Sequence, residues 1–384
     1  MVSDCQPVQW PSWPIYTQSD SDAVLSVIKS NQLFAADQVR LFESHFSSYI
    51  GVEHAVAVGN ATQGLQLALA ALGIGQGDEV ITPNYSFISS TSCILMQNAI
   101  PVLVDLDPAT LAPSSSQIES LITSKTKAII VTHLWGFPCK IDEIQSLAKK
   151  YNLPLIEDAS HAHGAVYLDK KIGSFSDISV FSLHQRKNLP VGDGGICLTS
   201  SPELREKLYR LRSFGHNELS YNYRMTEFAG ALGVTRLKLL DAQNSERRSI
   251  ATALDQLILD VDWISSLQPI DNAIPVYHAY IFFINLSIAP LSIDEILSKA
   301  HALSIPLRKT WQPLHRHPHL NPNPASMPAR GIPWSGRPDH IPYINQVFPI
   351  GDSLIDNSIL QIDIHPGTTL NHLEYLAHFL RSLN

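Results

Sequence analysis

The sequence predicts an α/β protein, with a large domain whose mixed, mostly parallel sheet is sandwiched by helices and a smaller C-terminal α/β domain behind it. Three observations carry that prediction. Short apolar runs alternate with helical stretches through the first two thirds of the chain. Those runs are apolar throughout instead of alternating with polar residues, as strands buried on both faces must be. Composition then shifts, which places a boundary near residue 246 and divides the chain into 1–245 and 246–384. With 384 residues, 45% of them hydrophobic and 16% charged, the chain can bury a large core and exceeds the usual length of one domain.

In chain order, the first twenty residues carry Pro7, Pro11 and Pro14 with Trp10 and Trp13, and read as an irregular arm whose rings serve packing. Residues 23–28 and 39–49 read as helices, the second with Val39, Phe42, Phe46 and Tyr49 on one face. A strand at 55–58 precedes a helix marked by Leu65, Ala68, Leu69 and Leu72. Gly59, Asn60, Ala61 and Thr62 therefore form a tight strand-to-helix turn. Such a turn is either a phosphate site built from free backbone N–H groups or an ordinary helix cap. Strands follow at 80–82, 101–104, 128–132, 154–156, 178–182 and 196–199, with a helix over 141–151 among them. A helix at 203–212 comes next, then one long helix from Thr226, its N-cap, to about Arg248. Residues 306–349 are dense in proline and glycine and read as loop.

The net charge of −8 and the lack of basic blocks exclude nucleic acid and an anionic membrane surface as main partners, leaving a small molecule. Cys5, Cys93, Cys139 and Cys197 have no paired spacing, which fits reduced thiols. The first residues lack the features of a signal peptide, and no apolar run reaches membrane-spanning length. A cytoplasmic protein is expected.

In parallel sheets ligands gather at the carboxyl ends of the strands. Thr62, Phe87, Asp158 and Ser182 all fall at or just beyond such ends. The segment LIEDASHAHGAVYLDKKIGSFSDISVFSLHQRKNLPVGDGG adds His161 and Lys187. A buried carboxylate and a lysine on neighbouring strand ends are what a pyridoxal phosphate enzyme needs, the lysine to form a Schiff base and the carboxylate to keep the pyridine nitrogen protonated. Taken alone, Asp158 reads more readily as a helix cap or turn residue, and it is Lys187 downstream that makes the pair persuasive. His161 with His163 could be metal ligands, but no carboxylate or thiol stands at ligand spacing, and no metal is predicted. His315, His317 and His319 alternate beside Arg308, Lys309 and Arg316, as a second metal cluster, a positive lining for an anionic substrate, or a solvated loop.

The motifs VAVGNATQGLQLALAALGIGQGDEVITP, IPVLVDLDPATL, KAIIVTHLWG, IEDASHAHGAVY, FSLHQRKN, GDGG and YNYRMTEFAGALG, in this order, resemble the DegT/StrS group of sugar aminotransferases, which are pyridoxal phosphate enzymes of fold type I. The resemblance covers nearly the whole chain. It implies that Lys187 forms the Schiff base and shuttles the proton, Asp158 pairs with the pyridine nitrogen, and His161 contacts the ring hydroxyl. Ser182, Ala61 and Thr62 match phosphate contacts, and Phe87 matches the aromatic that stacks on the ring. Asn222 resembles the asparagine that reaches the cofactor phosphate of the neighbouring subunit, which implies a homodimer with shared sites. The implied reaction carries an amino group from L-glutamate or a similar donor, through pyridoxamine phosphate, to a nucleotide-linked 3- or 4-keto-hexose, with a keto-cyclitol as the alternative acceptor and another fold-type-I reaction, such as decarboxylation or aldol cleavage, as the alternative chemistry. Arg224, Arg308, Lys309 and His315 are the candidates for acceptor contacts. Deoxygenating relatives carry histidine where Lys187 stands, so the lysine favours transamination. A non-catalytic, cofactor-binding regulator is the reading from another class, and no DNA-binding module supports it.

Three departures accompany the resemblance. Asn60-Ala61-Thr62 stands where the group commonly has Ser-Gly-Thr. Arg186 replaces a small or hydroxyl residue, and its charge would favour a neutral Lys187 amine or serve the substrate. The segment between Phe214 and Asn222 is short.

Overall fold

The computed structural model describes residues 8–214, 218–321 and 343–383. Cys5, Pro7, part of the 214–222 segment and part of the proline-rich loop lie outside the described residues. The chain begins with α1 (Gln18–Ser30) and α2 (Asp37–Ile50), then β1 (His54–Val58), α3 (Ala61–Ala71), β2 (Glu79–Pro83), α4 (Ser89–Met96), β3 (Ile100–Val104) and α5 (Ser115–Glu119). It continues through β4 (Thr126–Thr132), α6 (Ile141–Tyr151), β5 (Leu155–Asp158), the short β6 (Val166–Tyr167) and β7 (Lys170–Lys171), β8 (Ile178–Ser182), β9 (Gly195–Thr199) and α7 (Pro202–Arg212). After α8 (Glu227–Leu237) and α9 (Leu240–Leu257) come β10 (Ile264–Ser266), β11 (Ala273–Ile274), β12 (Tyr280–Ile284), α10 (Ile293–Ala302), β13 (Arg308–Lys309), α11 (Pro349–Asn357), β14 (Ile359–Ile362) and α12 (Leu370–Arg381).

Seven strands form the main sheet in the order β1-β9-β8-β5-β4-β2-β3. Only β9 runs against its neighbours, so the sheet is mixed and mostly parallel. Its strands are buried on both faces, as their apolar runs require. One face packs Leu65, Leu67, Ile94 and Leu208, while the other packs Phe42, Phe46, Ile144 and Val234. The second sheet, β10-β12-β14-β13, is antiparallel and lies with α9, α10 and α12 around a separate core containing Leu254, Phe282, Ile296, Leu360 and Leu376. A third small sheet joins β11 to β6 and β7.

The long helix expected from Thr226 is two helices, broken at Lys238 and Leu239. Thr226 does cap the first, accepting from Ala229 N at 3.3 Å. The break changes which core the chain serves. α8 packs on α1 and α2, with Gly230 against the backbone of Gln38 and Val39, whereas α9 packs on α12. Val234 of α8 and Leu240 at the start of α9 lie in the first core, and Ile250 and Leu254 further along α9 lie in the second. α9 itself runs unbroken through residue 246.

Glu227 shows how tightly the first unit is tied. Ala36 offers no side chain to cap α2, and the Glu227 carboxylate replaces it, accepting from the amides of Ala36, Gln38 and Val39 at 2.5, 2.8 and 3.1 Å. Among the described residues no helix is long and apolar enough to cross a membrane.

Candidate active site

A cavity of about 1180 Å³ opens between the carboxyl ends of the main sheet and the second sheet. The main sheet contributes Thr132, Asp158 and Ser182, and the turn after β1 adds Ala61 and Thr62. His278, Arg308, Trp311, Gln361, Asp363 and His365 form the opposite wall. Of the residues singled out in the sequence, Ala61, Thr62, Phe87, Asp158, His161, Ser182, Lys187 and Arg308 meet here.

The turn at the start of α3 is built as an anion cradle. Asn60 caps the helix by accepting from Gln63 N at 3.0 Å, and the amides of Ala61 and Thr62 have no acceptor among the described residues. The Thr62 hydroxyl shares a hydrogen bond with Ser89 at 2.7 Å, which joins the starts of α3 and α4. Alanine in place of the more usual glycine leaves the turn intact. The close approach is supplied from across the sheet by Gly195, where a Cβ would lie 2.5 Å from Asn60 C and 2.7 Å from Ala61 N. Ser182 is the partner of Gly195 in the β8–β9 ladder, so its hydroxyl-bearing side chain ends beside the same turn. Two orphan amides at a helix N-terminus with hydroxyls beside them fit a phosphate group.

Asp158, 4% exposed, closes β5. It accepts from Ser160 N at 3.2 Å, so it serves as a turn residue while also lining the cavity. Burial raises its carboxyl pKa, opposed by Ser160 and by the Lys187 charge. Burial likewise pushes the Lys187 amine down to about 8, against the pull of Asp158. Arg186 does not produce that shift. Its side chain is exposed, where water screens its charge, and burial does what the sequence assigned to Arg186.

His161 is held as a neutral donor. Its Nδ1 accepts from Trp135 N at 3.2 Å, which places the remaining proton on Nε2, and burial keeps the ring well below the usual histidine range. Its ring stacks on His278 at 4.3 Å between centroids. Phe87, 48% exposed, meets Trp311 edge-on at 5.7 Å, and Trp311 stacks on Trp135 at 6.5 Å. The cavity therefore has an aromatic side facing its carboxylate and amine. A planar cationic heterocycle with a phosphate tail matches this donor set.

The adjacent Glu157 has a structural part. Fully buried, it accepts from the amides of Gly173, Phe175 and Ser176 at 2.9, 3.1 and 3.0 Å, from Ser176 Oγ at 2.7 Å, and from His133 Nε2 at 3.2 Å. Burial opposes its charge, but His133 and these donors hold its carboxyl below the usual range. Glu157→Gln should cost about 3–5 kcal/mol, since an amide turns an NH₂ group toward buried donors and leaves them without the carboxylate that they share. Because the folded pKa is depressed, the wild-type advantage is full above the ordinary carboxylate pKa and is lost as pH falls through the folded value. Urea unfolding at pH 7 and in the acid range checks both parts.

Four candidates lie outside the cavity wall. Asn222 accepts from Arg224 Nε and Nη2 at 3.1 and 3.0 Å, and the Arg224 guanidinium rests on Phe34 and Phe214. Lys309 pairs with Asp294 at 2.6 Å at the start of α10. His315 is buried, bonded to Asn84 Nδ2 at 3.0 Å and 3.3 Å from Asp352. Within the wall, Arg308 is held by both Asp363 oxygens, at 2.9 and 2.6 Å. Among the described residues no group of three or more His, Cys, Asp or Glu is placed to hold a metal ion. Cys93, Cys139 and Cys197 are free and buried.

Sequence reasoning missed Trp13, Trp135, His278, Trp311 and His365 as wall residues. Trp311 sits two residues past Lys309 in the basic run that drew attention, and its aromatic character was the available signal. His278 and His365 had none.

Comparison with known proteins agrees with this geometry. The profile of the DegT/DnrJ/EryC1/StrS aminotransferase family matches residues 14–330. The chain is 34% identical over 337 residues to the L-glutamine:2-deoxy-scyllo-inosose aminotransferase of Streptoalloteichus tenebrarius, covering 80% of this chain and 78% of that one. It is 33% identical over 340 residues to the GDP-perosamine synthase of Escherichia coli O157:H7, covering 86% and 91%. The solved structure of S. venezuelae DesV in complex with a ketimine intermediate superposes with a TM-score of 0.84 at 28% identity, covering 94% of this chain and 93% of that one. The chain belongs to the DegT/DnrJ/EryC1/StrS aminotransferase family and is a pyridoxal-phosphate-dependent transaminase of fold type I.

Proposed function

We propose that this transaminase carries an amino group from L-glutamate, or a similar donor such as L-glutamine, to the carbonyl of a nucleotide-linked 3- or 4-keto-hexose in amino-sugar biosynthesis. The observation that supports a large acceptor is the cavity itself. At about 1180 Å³ it exceeds the roughly 300–1,000 Å³ of ordinary small-molecule pockets and leaves space beyond the cofactor.

When bound, pyridoxal phosphate supplies an electron sink for the carbon that exchanges its amino group. Ala61, Thr62 and Ser182 would hold its phosphate, and Phe87 would pack against its ring. Asp158, drawn into the low-dielectric wall, would keep the pyridine nitrogen protonated, and His161 Nε2–H would donate to the ring oxygen. Lys187 Nζ, its pKa near 8, is neutral in a useful fraction around neutral pH and takes the proton from the donor's α-carbon. Asn222 lies away from its own chain's cavity, as a residue that serves a neighbouring copy would, and a homodimer with shared sites is part of the proposal. In that arrangement an Asn222→Ala chain mixed with an inactive Lys187→Ala chain should regain activity in one of the two hybrid sites.

A keto-cyclitol is the second acceptor, favoured by the likeness to the scyllo-inosose aminotransferases. Charge separates the two. Arg186 lines the cavity, is exposed and makes no ion pair among the described residues, whereas Arg308 is already paired. A diphosphate needs such a cation and a cyclitol does not. Arg186→Ala should raise KM for a nucleotide-linked acceptor about tenfold, the worth of one charge-assisted hydrogen bond, and leave KM for a neutral keto-cyclitol unchanged. Steady-state kinetics on a panel of both acceptor types, with each donor, tests the assignment. Turnover confined to keto-cyclitols would reverse it.

A further inference from the structure

We propose that Trp13, on the N-terminal arm, is a positioning residue for Lys187, pinning the main chain of the reacting lysine through its indole N–H. The proposal rests on Lys187 being that lysine. Trp13 Nε1 donates to the Lys187 carbonyl oxygen at 3.0 Å across 174 residues of sequence. Lys187 follows β8 in an irregular loop, and its own N–H closes a turn onto His184 O at 2.8 Å. Its carbonyl has no other donor among the described residues. One backbone group of Lys187 is thus fixed by its own loop and the other only by the arm. The peptide plane sets the direction in which Cβ leaves the chain, and hence where Nζ can reach.

The arm is able to act as an anchor because it is held on several sides. Arg236 Nη1 donates to Ile15 O at 2.8 Å, and His372 Nε2 bonds Gln9 O at 2.9 Å. The Trp13 ring stacks on His365 at 5.5 Å with 16° between planes, and the Arg247 guanidinium lies over it at 4.5 Å. Arg247 is buried, its three side-chain nitrogens have no hydrogen-bond partner among the described residues, and the indole face meets its charge alongside the more distant Glu246 and Asp363 carboxylates. Trp10, three residues earlier, provides the internal contrast. It packs against the second core, and its buried N–H has no partner among the described residues. The two tryptophans of WPSWP therefore differ in kind, one packing and the other directing a hydrogen bond at the site. Since His365 follows β14, the Trp13 ring connects the second sheet to the lysine loop.

Trp13→Phe keeps a ring between His365 and Arg247 and removes only the N–H. The purified full-length variant should bind pyridoxal phosphate with the wild-type melting temperature to within about 2 °C. Its kcat should fall about fivefold, the effect of one neutral hydrogen bond, with KM for donor and acceptor within twofold of wild type. The rate at which cofactor-free protein captures added pyridoxal phosphate, followed by the visible absorption of the bound cofactor, should fall by a similar factor. Replacing Trp13 by benzothienylalanine, which puts sulfur in place of the N–H in the same shape, should reproduce both losses and covers the case in which the phenylalanine variant is unstable. Wild-type kcat and capture rate in these variants, with loss only in Trp13→Ala, would reduce Trp13 to packing and overturn the proposal. A rise in KM alone would overturn it too, since Trp13 would then act on the substrate from the cavity wall and not on Lys187. Failure of the wild-type protein itself to capture the cofactor at Lys187, read by borohydride trapping and peptide mapping, would sink the assignment of the lysine instead.

Discussion

Lys187→Ala is expected to abolish turnover with every donor and acceptor and to leave the protein unable to hold pyridoxal phosphate covalently. The loss should be at least about 10⁴-fold in kcat, because both the covalent attachment and the proton transfer are assigned to one amine. Borohydride treatment followed by mass analysis should find no cofactor on the variant chain and one on wild type, attached at Lys187. The buried amine also leaves a mark on stability that is independent of catalysis. Its pKa is about 8 in the fold against about 10.4 for a free lysine, so between those values the unfolded chain binds more protons and stability rises with pH. In cofactor-free protein the cost of burying the charge is full below pH 8 and disappears above the unfolded value. Lys187→Met, which carries no charge, escapes it. The unfolding free energy of Lys187→Met relative to wild type should therefore decline by about 2 to 3 kcal/mol between pH 7 and pH 10. A pH-independent difference would mean that the amine is solvated in the folded protein and titrates there as it does in the unfolded chain.

That Lys187 and Asp158 line one cavity was legible from the sequence because both stand at or past the ends of apolar runs, and a parallel sheet brings such ends together. The same logic placed Ala61 and Thr62, a short turn past the end of β1, and Ser182, the last residue of β8. It could not place the opposite wall. Trp13, His278, Trp311 and His365 arrive through contacts between distant segments, on short strands and coil whose local pattern carries no periodicity. Composition was a poor guide there. Arg308, Lys309 and His315 form one basic run, yet only Arg308 reaches the cavity, since Lys309 alternates to the other side of the short β13 and His315 is taken into the packing by Asn84 and Asp352. The break between α8 and α9 was hidden for a related reason. Both segments have helical pattern and propensity, and what ends the first is the need to serve two cores in different directions.

Asp158→Asn is the sharper test of the site, because it decides between two roles the structure gives to the same side chain. The residue is a turn element through its bond from Ser160 N and a cavity carboxylate through its place in the wall. Asparagine preserves the first role, since its side-chain oxygen still accepts from Ser160, and it fits the same volume. What it removes is the negative charge. If that charge holds a proton on the pyridine nitrogen, the variant should fold, melt within a few degrees of wild type and still take up the cofactor. Its kcat should be lower by about 10²- to 10³-fold, the scale of losing one preorganised electrostatic partner in a water-excluded site. The Lys187 amine should respond as well. Asp158 is the group that opposes burial there, so without it the amine pKa should fall further below 8, visible as a shift in the pH dependence of cofactor capture by the cofactor-free protein. Near-wild-type kcat with an unmoved capture profile would leave Asp158 as a turn residue only. The electron sink would then need another partner, and among the described carboxylates of the wall Asp193 and Asp363 remain, the latter already committed to Arg308.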